Sequence, residues 1–128
     1  MPQKTETNVP ALIIGKIIIS AKAARFIGAT AHIYLEDISR ADSYSEVLVE
    51  TTLTEISHPL ANSPEETIID FTLSVSERFN INPTHDYSVR VWIDIDGDGE
   101  KGKGDLHSSQ TYPVLTYGRT NTVSIRLD

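Results

Sequence analysis

The twelve residues Asp94-Ile95-Asp96-Gly97-Asp98-Gly99-Glu100-Lys101-Gly102-Lys103-Gly104-Asp105 carry the most specific chemistry in the chain. Acidic residues stand at positions one, three, five and twelve, and glycine at six, which is the spacing of a calcium loop. Calcium is a hard cation that takes six to eight oxygens, and alternating carboxylates in a tight turn converge on one point. The pattern assigns side-chain oxygens to Asp94, Asp96, Asp98 and Asp105, and the backbone carbonyl to Glu100. Gly99 permits the sharp bend. Asp105 is one methylene shorter than the usual Glu, and Lys101 occupies a position where an apolar residue usually packs between paired hands. Both flanks read as strands, so the expectation is a lone calcium (Ca2+) loop on a β-domain. The competing reading is a solvated acidic hairpin loop, since Asp-Gly pairs favour turns for backbone reasons. The segment holds five carboxylates and two lysines. Crowding that much like charge costs energy unless a cation compensates it, which favours the ion.

Other constellations are weaker. The four histidines, His32, His58, His85 and His107, show no H-x-x-x-H spacing, and each reads as a surface or turn residue. No G-x-S-x-G elbow is present, so a serine-hydrolase site of that type has no local support. Gly102-Lys103 is not followed by Ser or Thr and lies in an acidic loop, which argues against a P-loop. His32, Tyr34, Arg90 and Trp92 share the outward parity of their strands. If those strands pair, they form an aromatic and basic patch suited to a peptide or a sugar, unless Trp92 is covered by a loop or by the first strand.

The elements that position these residues are strands. Tyr87, Val89, Val91, Ile93 and Ile95 alternate with mostly polar residues, as do Ile69, Phe71, Leu73 and Val75, Ala31, Ile33 and Leu35, and Val123, Ile125 and Leu127. Side chains alternate faces along a strand, so each set predicts a core face. Residues 12–20 and 46–56 are also rich in Ile, Val, Leu and Thr, and a short strand is expected from Leu106 to Tyr112. Turn signals separate them, including Ala23 to Gly28, Asn80 to Pro83 and Tyr117-Gly118. About seven short strands without a long helical period predict an all-β fold, an antiparallel β-sandwich of immunoglobulin or fibronectin type. The expected core is Ile17, Ile33, Leu35, Val49, Phe71, Leu73, Val89, Val91, Ile93, Val123 and Ile125. In Ile81-x-Pro83-x-x-x-Tyr87, the tyrosine is placed to pin a corner by bonding back to upstream backbone; the alternative is a plain core aromatic.

Composition bounds the function. At 128 residues one domain is expected, with a flexible polar segment at 1–10 and a single sandwich over 11–128. Eleven basic against eighteen acidic residues give a net charge of −7, which argues against nucleic-acid binding, since that depends on Lys and Arg against phosphates. The apolar run from Ala11 to Ile19 is too short for a transmembrane span. Without cysteine, disulfides, thiolate metal sites and cysteine nucleophiles are excluded.

Several blocks resemble the YbaY-like lipoproteins, a group related to the YscW-type pilotins of type III secretion. Leu35-Glu36-Asp37-Ile38-Ser39-Arg40-Ala41-Asp42 resembles their L-x-D-x-S-R-A-D signature. Ile68-Ile69-Asp70-Phe71, followed by Ile81-Asn82-Pro83-Thr84-His85-Asp86-Tyr87-Ser88-Val89-Arg90-Val91, is similar to a later block, and Ser109-Gln110-Thr111-Tyr112-Pro113-Val114-Leu115-Thr116 resembles the T-x-x-x-P-V-L-T stretch that follows it. The likeness spans roughly residues 12–127 and implies a small exported β-sandwich, lipid-anchored at the bacterial outer membrane, with no enzymatic activity and a secretin-like or other envelope protein as partner. It implies no catalytic residues, and only a structural turn for Arg40 and Asp42. The chain has no cysteine for such an anchor, so the expected location is periplasmic or outer-membrane associated if an export signal was trimmed, and cytoplasmic otherwise. The functional expectation is a non-enzymatic binding or assembly accessory with a calcium-stiffened loop. The alternative is a calcium-dependent carbohydrate-binding module that uses His32, Tyr34 and Trp92. An enzyme using calcium lacks a recognisable nucleophile and base.

Overall fold

The computed structural model describes residues 11–39, 46–58, 66–75, 81–97, 99 and 105–128. The segment 1–10, expected to be flexible, and the pair Arg40 and Asp42 lie outside them. The strands are β1 (Ala11–Ile19), β2 (Phe26–Asp37), β3 (Glu46–His58), β4 (Thr67–Val75), β5 (Tyr87–Asp94), β6 (Leu106–His107), β7 (Pro113–Val114) and β8 (Thr122–Leu127). They form a three-stranded sheet in the order β4-β1-β8 and a larger one in the order β3-β2-β5-β6, with β7 also paired to β5. The inner faces of both contribute to one apolar core, the β-sandwich the alternation predicts.

All of the expected core residues are buried except Val49, which is half-buried. The reason is position: β3 is the edge of its sheet, with a neighbour on one side only. Ile13 and Ile19 join the core from the same face of β1 as Ile17. The Tyr87 side chain is buried and its hydroxyl accepts a hydrogen bond from the Asn82 backbone N–H at 2.9 Å, so the corner forms as the spacing suggested.

Three features depart from the expectation. β1 and β8 pair in parallel, so the sandwich is not wholly antiparallel. β2 begins at Phe26, inside the segment expected to be a turn; register shifts between Phe26 and Ala31 disrupt the period of two and hide the strand. The single strand expected from Leu106 to Tyr112 is instead two short ones. Leu106 and His107 pair with Ile93 and Trp92, whereas Pro113 and Val114 pair with Ser88 and Tyr87. Ser108 N–H donates to Val91 O, and Val89 N–H to Tyr112 O. Residues 109–111 therefore stand opposite Arg90 alone and bulge away from the ladder.

Candidate functional site

The acidic loop leaves β5 at Asp94. This carboxylate is 4% exposed, and its two oxygens accept the N–H groups of Gly97 at 3.0 Å and Gly99 at 2.8 Å. Both glycines have positive φ, 74° and 78°, a conformation that side chains with a Cβ resist. The bend assigned to Gly99 is thus present, and the chain wraps around Asp94. Asp105 closes the loop from the far side: its Oδ1 accepts Ile95 N–H at 2.9 Å and its Oδ2 accepts Trp92 Nε1–H at 3.2 Å. Oxygens of Asp94, Asp96 and Asp105 lie within 4.8 Å of one another. Three of the expected ligands are therefore brought together; Asp98 and Glu100 lie outside the described residues. Each carboxylate oxygen has more than one acceptor site, so an N–H bond does not use up its capacity toward a cation.

The outer face of the larger sheet pairs the residues the parity suggested. His32 is in register with Trp92, and Tyr34 with Arg90. The imidazole stacks on the indole at 4.5 Å between centroids, and the Arg90 guanidinium lies 4.3 Å over the Tyr34 ring. Trp92 is only 6% exposed, with His32 stacked on one face, β6 paired beside it and its indole N–H on Asp105. With one indole face on His32, the N–H on Asp105 and the Tyr34 face under Arg90, these rings present no open sugar-stacking platform. That removes the geometric basis of the carbohydrate-binding alternative. Burial pushes the Tyr34 hydroxyl pKa up, and the charge of Glu50 adds to it.

A cavity of about 400 Å³ opens at the three-stranded sheet. Its lining includes three rows across the strands: Thr72-Ile14-Thr122, Phe71-Gly15-Val123 and Asp70-Lys16-Ser124. Thr51 and Leu53 of β3 complete it. Beside it the sheet exposes Leu12, Ile14 and Ile68, each about half-exposed, around the Lys16–Asp70 ion pair at 2.9 Å. Alternation along these strands predicts strand and core here and does not by itself announce a surface site. The signal was present, since Ile14 and Ile68 fall on the polar parity of their strands.

At one end of the sandwich, three blocks of sequence interlock. Ile38 N–H donates to Asp86 O, and Asp86 N–H to Ser39 Oγ. His85 Nδ1 lies 2.7 Å from Asp37 Oδ2, and Ser39 N–H donates to Asp37 Oδ1. Thr116 and Tyr117 donate their hydroxyls to the backbone oxygens of His85 and Thr84, and Arg119 pairs with Asp86. Burial pushes the Asp37 carboxyl up, but bonds from Ser39 and the bond and charge of His85 outweigh it, and hold the pKa below the usual carboxylate range. Leu115 and Tyr117 keep positive φ, 76° and 60°, a strain that the surrounding bonds maintain. This pole is structural.

A family described as type III secretion system lipoprotein chaperone (YscW) matches residues 9–127. Among solved structures, the fold resembles an alternative pilotin from the type II secretion system of Vibrio cholerae. The TM-score is 0.70 at 24% identity, over 93% of this chain and 96% of that one. At that identity the likeness speaks for the fold. Among curated proteins none matches by sequence.

Proposed function

This chain belongs to the type III secretion system lipoprotein chaperone (YscW) family, and from that premise we propose that it is a non-enzymatic accessory that binds a secretin and assists its assembly at the bacterial envelope. The observation that carries the reading is the outer face of the β4-β1-β8 sheet. Exposed large apolar side chains grouped on one face mark interaction sites; here Leu12 and Ile14 stand on one side of the Lys16–Asp70 row and Ile68 on the other, and Ile14 and that row line a cavity of about 400 Å³. An apolar segment of the secretin fits it, with the Lys16–Asp70 pair setting orientation at the rim. Nothing in that role requires a nucleophile or a base.

The test is calorimetric titration of secretin fragments into the wild type and into Ile14→Asp and Ile68→Asp. Both side chains are half-exposed, so neither substitution places a charge in the core, and melting curves check that each variant is folded. Loss of at least about tenfold in affinity supports the reading, the size expected when a buried apolar contact is replaced by a charge. Unchanged affinity in both overturns the placement.

The second component of the proposal is a calcium ion on Asp94, Asp96, Asp98, Glu100 and Asp105. The convergence of Asp94, Asp96 and Asp105 supports it. Bound there, the ion would tie the loop to Trp92 through Asp105 and stiffen that end of the larger sheet.

A further inference from the structure

β4 ends its sheet and, among the described residues, pairs with β1 alone. Ile14 N–H donates to Asn121 O and Ser20 N–H to Leu127 O, both at 2.9 Å. Backbone groups of successive strand residues point to opposite sides, so Ile14, Lys16 and Ile18 turn theirs toward β8, and Ile13, Gly15, Ile17 and Ile19 toward β4. Those four stand in register with Leu73, Phe71, Ile69 and Thr67. The intervening residues Ile68, Asp70, Thr72 and Ser74 therefore direct their N–H and C=O groups away from β1, and among the described residues no hydrogen bond reaches them. The register is unbroken from Thr67 to Val75, without bulge or proline, and Asp70 is the only charge. Protein sheets usually blunt such an edge, and the other edges here are blunted. β3 has register shifts and carries Glu46, Glu50 and Glu55. On β8, Thr122 O accepts the Thr120 hydroxyl and Arg126 N–H donates to Tyr112 Oη. β6 and β7 are two residues each. His58 of β3 meets Thr67 at one end of β4, at 2.7 Å; beyond it the row of donors and acceptors from Ile68 to Ser74 is open.

We propose that this edge takes up an extended, neutral or basic segment of the protein partner as an added β-strand. Only an extended main chain presents free acceptors and donors at the spacing of the row; a helix spends its own internally. The side chains of an added strand alternate between faces. One set lies beside the exposed side chains of Ile68, Asp70, Thr72 and Ser74, where Ile68 supplies apolar surface and Asp70 and Thr72 line the 400 Å³ cavity. Charge sets the rest of the chemistry. The Asp70 side chain is 78% exposed and the chain carries a net −7, so a lysine or arginine beside Asp70 is favoured and an acidic segment is repelled. A second copy of the chain would bring the same negative charge to the edge, which disfavours it as the occupant. The inference rests on the reading that the partner is a protein, and it concerns main-chain pairing on β4 rather than the apolar side chains of β1.

The test uses the whole chain, labelled with ¹⁵N, and the blocked peptide Thr-Val-Lys-Val-Thr-Val-Lys-Val-Thr as probe. Without peptide, amide exchange is expected to be fast at Ile68, Asp70, Thr72 and Ser74 and slow at Ile69, Phe71 and Leu73. Saturating peptide should slow the first set by at least about tenfold and leave the second unchanged, with affinity roughly 10⁻⁴–10⁻³ M for so short a probe. N-methylating one alternate set of the peptide's amides should abolish binding, and N-methylating the other set should not, since only one side of the peptide meets β4. Thr72→Pro removes an N–H that the fold does not use, so it should weaken binding about tenfold with little change in melting temperature; the methylated peptides make the same test on the wild type. Slow exchange at the four edge amides without peptide overturns the proposal, as does binding that leaves them unprotected or survives both methylations. So does equal binding of the peptide with glutamate in place of lysine. Protection that rises with protein concentration alone, with a dimer in sedimentation, assigns the edge to a second copy and overturns it too. Ile14→Asp lies on β1 and leaves the edge amides of β4 in place, so secretin binding through the apolar face and strand addition can each fail without the other.

Discussion

Phe71 and Gly15 are registered neighbours on β4 and β1, and the phenyl ring fills the place where a side chain at 15 would stand. A β-carbon built on Gly15 comes 2.3 Å from Phe71 Cζ and 2.6 Å from Cε2. The glycine is there to admit the ring, in the middle strand of its sheet. Gly15→Ala therefore forces the ring out of position and is expected to cost about 1–3 kcal/mol by overpacking. Phe71→Ala leaves a cavity and is expected to cost about 3–5 kcal/mol. In the double variant the new methyl occupies space the ring has vacated, so the two costs sum to more than the double variant loses. Urea unfolding of all four proteins measures this coupling; strict additivity would mean that the two residues do not touch.

Tyr87→Phe removes only the hydroxyl that accepts Asn82 N–H. The core packing of the ring stays, so the loss is confined to the hydroxyl's polar interactions, the Asn82 N–H bond among them, and is at least about 1 kcal/mol. Asn82 sits in the turn that also carries Thr84 and His85, whose backbone oxygens hold Tyr117 and Thr116. Hydrogen exchange at the amide of Asn82 should accelerate in the variant more than exchange in the centre of β2. Equal acceleration in both would place the defect elsewhere.

The strand alternation reached most of the sandwich because burial on one face leaves a period of two in the sequence, as in Val89, Val91 and Ile93. It failed where geometry departs from that period. Phe26 to Gly28 was hidden by the irregular register to β3, and residues 109–111 by a bulge that no residue type announces. The calcium spacing pointed to Asp94, Asp96 and Asp105 as neighbours, which they are, but not to the bond between Asp105 and the Trp92 indole. That bond joins residues thirteen apart through the sheet, and only the pairing of β5 with β6 reveals it. The Arg90–Glu36 pair depends in the same way on the register between β2 and β5.

Asp37 sets an acid limit on stability. Its pKa in the folded chain is held below the ordinary carboxylate value by Ser39 and His85, against the upward push of burial. A depressed folded pKa means that the unfolded chain binds the proton more readily. The contribution is therefore complete above the unfolded carboxylate pKa, and is lost as pH falls through the lower, folded value. Asp37→Asn should be less stable than wild type at neutral pH, by about 1–2 kcal/mol for the charge-assisted bonds removed. The gap should close in strong acid. Denaturant midpoints measured from neutral to strongly acidic pH check this; a gap that widens on acidification would contradict the assignment.

Calcium should raise the melting temperature of the wild type, and Asp96→Asn should abolish the rise. Asp96 is chosen because it is exposed, and its substitution leaves in place the bonds by which Asp94 holds the turn and Asp105 holds Trp92 and Ile95. An aspartate in place of glutamate at the twelfth position, and no second loop to pair with, both weaken the site. The affinity expected is roughly 10⁻⁴–10⁻³ M, in the range of extracellular modules. Binding to the folded state alone stabilises it by RT ln(1 + [L]/Kd), so calcium at about 100 times Kd adds roughly 2.7 kcal/mol. Magnesium should do less, because it requires a smaller and stricter octahedron. Trp92 gives an independent readout: its indole N–H donates to Asp105 Oδ2, so drawing that carboxylate toward an ion should shift the indole N–H resonance in step with the melting temperature. Melting curves with calcium and with chelator, for wild type beside Asp96→Asn, decide the matter. If about 10 mM calcium moves neither the melting temperature nor the indole resonance of the wild type, no site of even the weakest class is present. The acidic residues would then serve the turn alone, with Asp94 and Asp105 retained for the backbone groups they accept.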